Sequence, residues 1–60
     1  MFNKGDKVIC IIPTFDNQLR KGQIYTVVNS NYNLVHVLGG MAFFEHTRFI
    51  LATDLIIALN

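Results

Sequence analysis

Cysteine is nearly missing from this 60-residue sequence: Cys10 stands alone, so no intrachain disulfide can form. The absence matters at this length. A chain so short buries only about 60% of the surface its unfolded form exposes. Small folds compensate with disulfides, a metal, oligomerisation or dense apolar packing. Charge is scarce as well, with five basic and four acidic residues and a net charge of +1. A strong basic excess, the usual mark of nucleic-acid-binding domains, is therefore lacking. Long apolar runs are lacking too. Val8 to Ile12 is closed by Pro13, short of the roughly 7–15 apolar residues of a secretory signal. Phe49 to Leu59 is broken by Asp54 and too short to span a bilayer. The expectation is a soluble intracellular protein without membrane contact, a setting that suits an unpaired thiol.

What is abundant is hydrophobicity, at 52% of residues. That excludes the low-hydrophobicity, high-charge composition of disordered chains. Compensation for the small size must then come from apolar packing.

Along the chain, Lys4-Gly5-Asp6-Lys7 reads as a turn. It feeds a β-branched strand, Val8 to Ile12, which Pro13 ends for want of an N–H. Thr14 to Gly22 is a long polar loop in which Phe15 and Leu19 are the expected anchors. Gln23 to Val28 alternates as a strand, with Ile24, Thr26 and Val28 on one face and Tyr25 and Val27 on the other. Asn29 to Asn33 reads as a hairpin loop and Leu34 to Leu38 as the returning strand. Gly39-Gly40 signals a two-residue hairpin before a fourth strand, Met41 to Phe44. Glu45 to Arg48 suits one helical turn, and Phe49 to Ala52 a closing strand. Thr53-Asp54 can cap a short helical turn over Leu55 to Leu59, or that tail can be extended. About five short strands in this layout predict an all-β fold, a single SH3-like barrel domain over residues 1–60.

Lys4-Gly5-Asp6-Lys7-Val8, Leu19-x-x-Gly22-x-x-Tyr25-Thr26-Val27 and Arg48-Phe49 together resemble a pattern in small SH3-like proteins encoded by bacteriophages. The resemblance spans residues 4–51 and rests on turn and core positions. It implies an accessory protein working in the bacterial cytoplasm on a host or phage protein. Lys-Gly-Asp-x-Val followed by a glycine also resembles the KOW motif of ribosomal and elongation proteins. Here the tight basic turn of that motif is missing from Pro13 to Gly22.

Few residues carry reactive chemistry. Cys10 lies mid-strand among apolar neighbours, where a thiolate is disfavoured and a core role is expected. His36 and His46 have no partner at metal-ligand or catalytic spacing, and the four acids are scattered. No enzyme, metal site or cofactor is expected. Lys4, Lys7, Arg20 and Lys21, with Tyr25 or Phe15 beside them, form the one charge grouping that could hold a nucleic-acid backbone.

Surplus apolar surface is the more telling feature. The first strand is apolar on both faces, with Val8, Cys10 and Ile12 on one and Ile9 and Ile11 on the other. Leu55, Ile56, Ile57 and Leu59 add a second set, whose burial is worth about 6–10 kcal/mol before entropy. Residues 53–60 are expected to dock on the barrel, on a second copy or on a partner. The function expected is a non-catalytic interaction module for a protein partner, working through Ile9, Ile11 and this tail. A KOW-like nucleic-acid binder is the alternative.

Overall fold

The computed structural model describes residues 2–54. It is mostly β, with β1 at Lys7–Cys10, β2 at Ile24–Asn31, β3 at Leu34–Val37, β4 at Phe44–Glu45 and β5 at Phe49–Leu51. A 3-10 turn, η1, at His46–Arg48 joins β4 to β5. All pairings are antiparallel, in the order β4-β3-β2-β1-β5. No helix among the described residues is long and apolar enough to cross a membrane.

The strand order has a geometric consequence. In a flat five-stranded sheet the edge strands would stand about 19 Å apart. From Glu45 to Phe49 the chain can reach at most about 14 Å. The sheet therefore curls. Its bend falls in the eight-residue β2, where a bulge separates the Val27↔Val37 and Asn29↔His36 pairs and leaves Val28 between them.

Curling brings one face of every strand inward. Val8 and Cys10 of β1, Val27 of β2, Val35 and Val37 of β3, Phe44 of β4 and Phe49 of β5 form the core, and Leu19 enters it from the β1–β2 loop. No buried side chain among the described residues is polar. Phe49 is the aromatic hub: Phe2 and Tyr25 both meet it edge-on, with centroids 6.4 Å away. Such pairs contribute about 0.5–1.5 kcal/mol each beyond their burial. Phe2 is held there because its carbonyl accepts the Ser30 hydroxyl at 2.7 Å.

Several boundaries differ from those read in the sequence. β1 stops at Cys10, because Ile11 and Ile12 turn away and donate their N–H groups to the Arg48 carbonyl. Both isoleucines are exposed. The stretch read as a hairpin loop is mostly strand. Asn29, Ser30 and Asn31 pair with His36, Val35 and Leu34, so cross-strand pairing overrides their weak strand preference and leaves Tyr32-Asn33 as the turn. β3 ends at Val37, β4 holds Phe44–Glu45, and the Gly39-Gly40 connection is longer than two residues. Its glycines have separate reasons. Gly39 has φ 87°, and a Cβ on Gly40 would lie 3.2 Å from the Val37 carbonyl oxygen and 3.3 Å from Phe44. The last strand closes at Leu51, and residues 52–54 are helical. The four tail residues Leu55, Ile56, Ile57 and Leu59 lie outside the described residues.

Candidate functional site

The β1–β2 loop is a built structure. Thr14 and Leu19 close it, the Thr14 N–H donating to the Leu19 carbonyl at 3.3 Å and the Leu19 N–H to Thr14 Oγ1 at 3.0 Å. At the tip, Asn17 has φ 62°, a left-handed conformation that asparagine tolerates well. The Asp16 carboxylate accepts the Gln18 backbone N–H and side-chain amide. Hydrogen bonds from Thr14, and then from Gln18, hold Asp16 below the usual carboxylate range. Leu19 is fully buried, as expected of an anchor. Phe15 is not an anchor. The closure turns it outward, and it is fully exposed.

Hydrogen bonds join this loop to η1 and η1 to the β2–β3 hairpin. The Arg48 guanidinium donates to the Pro13 carbonyl at 3.0 Å and approaches that of Ile12 at 3.4 Å. Its other nitrogen stands 3.6 Å from Glu45 Oε1. The Ile11 N–H meets the Arg48 carbonyl at 2.7 Å, and the His46 N–H meets the Asn33 carbonyl at 2.8 Å. Loop, turn and hairpin thus make one rim. These segments carry the exposed Ile12, Phe15, Tyr32 and Leu34, and η1 and its approach carry the Arg48–Glu45 pair. Tyr32 is 83% exposed and has φ 51°, a strained conformation for a residue of its bulk. Strain of this kind clusters at functional positions. Leu38, Met41 and Phe43 form a separate exposed apolar group at the β3–β4 turn.

The basic residues lie near the two ends of β1. Lys4 and Lys7 flank the turn before β1, and Lys7 Nζ donates to Thr26 Oγ1. Arg20 and Lys21 precede Gly22, whose N–H bonds the carbonyl of Cys10 at the far end of β1. The strand from Lys7 to Cys10 separates the pairs by about 10 Å of rise. Tyr25 is already engaged, its ring against Phe49 and its hydroxyl accepting the Arg20 N–H at 2.9 Å.

Cys10 is buried in the core, and its thiol donates to the Ile12 carbonyl at 3.3 Å. Burial pushes the thiol up in pKa, against smaller opposing effects of that bond and of the Arg48 charge. His36 Nε2 bonds the Gly40 carbonyl at 2.8 Å, with its ring beside Phe43, whereas His46 opens η1. Among the described residues no three His, Cys, Asp or Glu side chains converge. Ile9 and Ile11, expected to share the outer face of β1, are parted: Ile9 is buried and Ile11 exposed beyond the strand end.

The rim was only partly legible in sequence. Its signal was an aromatic, Tyr32, set in an Asn/Ser-rich stretch, together with Phe15 in a polar loop. A scan against protein-family models finds no match, and searches of curated proteins and of solved structures likewise return none.

Proposed function

We propose that this chain is a non-catalytic protein-interaction module on an SH3-like barrel, a phage-type accessory protein that binds a host or phage protein in the bacterial cytoplasm. The rim of Ile12, Phe15, Tyr32 and Leu34 around η1 is its contact surface. The observation that carries this reading is the exposure of Phe15, in full, and of most of Tyr32, on segments that hydrogen bonds hold in place. Aromatic side chains, Phe and Tyr among them, are enriched at protein interfaces. The SH3-like part of the reading is supported by the strand order, the curl, the long first loop and the 3-10 turn before the last strand. The net charge of +1 gives the KOW-like alternative little of the electrostatic attraction that dominates nucleic-acid binding.

The test is capture from bacterial lysate by the wild-type chain and by a Phe15→Ala/Tyr32→Ala double variant of unchanged fold. One specific protein, bound at least about 30-fold more weakly by the variant, is expected, as for the loss of an interface anchor. Absence of a specific partner, or equal capture by both chains, would overturn the proposal. So would retention on DNA or RNA that falls steeply with salt, which would favour the nucleic-acid alternative.

A further inference from the structure

The β3–β4 turn carries an apolar patch that the rim leaves unused. Val35, Val37 and Phe44 belong to the core, so their neighbours His36, Leu38 and Phe43 stand on the outer face. Hydrogen bonds hold the patch in place. The Leu38 N–H donates to the Thr26 carbonyl at 2.8 Å, and the Gly40 N–H to the Val37 carbonyl at 3.0 Å. His36 Nε2 donates to the Gly40 carbonyl at 2.8 Å, and its ring meets Phe43 with centroids 5.5 Å apart. Leu38 is nevertheless 69% exposed, Met41 91% and Phe43 44%. At about 200 Å² for a fully exposed large side chain, the three present roughly 400 Å² of apolar surface. Contiguous patches of about this size on a monomer are often functional.

We propose that two copies of this chain meet at this patch. Composition selects a second copy over a foreign protein. Interfaces with foreign partners are about as apolar as the rest of the surface, whereas homodimer interfaces are more apolar. Leu38, Met41, Phe43 and the exposed Asn29, which pairs with His36, carry no charge. The rim, with its Arg48–Glu45 pair, has the opposite character. Area agrees. Roughly 400 Å² is half of the ~800 Å² that each partner contributes to a standard interface, and polar neighbours such as Asn29 supply the remainder. The chain also has a use for the contact. It can form no intrachain disulfide, and no three metal-ligating side chains converge among the described residues. Oligomerisation is one of the few compensations left to so small a domain. A net charge of +1 sets little repulsion between copies. Like patches then face each other across a two-fold axis, the commonest symmetry of soluble oligomers.

Sedimentation equilibrium of the full chain tests the contact, and it does so independently of the rim. The wild type is expected to be dimeric at about 100 µM, since interfaces of standard size bind at micromolar strength or tighter. Leu38→Asp and Met41→Asp are each expected to raise the dimer dissociation constant at least about 30-fold. Phe15→Asp, on the rim, should leave it within about threefold. Should Leu38→Asp fail to fold, Met41→Asp, at an almost fully exposed turn position, carries the test alone. A wild-type chain still monomeric at about 1 mM, or a dimer that the patch variants leave intact, would overturn the proposal. Loss of a lysate protein through Met41→Asp, with the wild type monomeric, would overturn it too and assign the patch to a foreign partner.

Discussion

Two large apolar residues four positions apart in one loop meet opposite fates, and their truncation is the sharpest check on how this small domain is held together. Leu19 is fully buried among Val8, Cys10 and the other core residues, whereas Phe15 is fully exposed. Buried Leu→Ala changes cost about 2–5 kcal/mol, through lost transfer energy and the cavity left behind. A domain of this length has a total stability of about 3–9 kcal/mol. Leu19→Ala should therefore remove around half of it and lower the melting temperature by 10 °C or more, at about 4–8 °C per kcal/mol. Phe15→Ala should leave stability within about 0.5 kcal/mol of wild type. Thermal and urea unfolding followed by far-ultraviolet circular dichroism reads both. A loss below about 1 kcal/mol for Leu19→Ala, or a larger one for Phe15→Ala, would refute the loop anchoring described above. It would also remove the argument that Phe15 stands free for a partner.

Three further outcomes follow from local geometry. Tyr32→Gly relieves the φ of 51° at an exposed position and should raise stability by about 1 kcal/mol, a change visible in urea midpoints. Gly40→Ala places a Cβ against the Val37 carbonyl oxygen and should cost about 1–3 kcal/mol, as overpacking does; Ala at an exposed position such as Lys21 supplies the control. Burial raises the Cys10 thiol pKa above its ordinary value of 9.0. The unfolded chain then releases this proton first, so the thiol's contribution to stability is complete below pH 9 and is lost as pH rises through the folded-state value. Thiol labelling at pH 8 should accordingly proceed through unfolding, and Cys10→Ala should flatten the alkaline fall in melting temperature.

The sequence by itself determined the all-β class, the turn at Lys4-Gly5, the core role of Cys10 and the helical turn before the last strand. Each of these rests on local chemistry. Turn residues carry their own backbone preferences, and a β-branched run around a lone thiol leaves that thiol in apolar surroundings. The extent of the strands was decided elsewhere. Asn29 to Asn31 became strand because β3 lies opposite them, and Ile11 and Ile12 left β1 because the Arg48 carbonyl takes their N–H groups. Whether a hydrophobic side chain anchors or protrudes was likewise a tertiary matter. Phe15 and Leu19 are equally apolar in sequence, but closure of the loop across Thr14 can turn only Leu19 into the core. The rim exists because Arg48 and His46 join segments more than thirty and about a dozen residues away, contacts that no local pattern encodes.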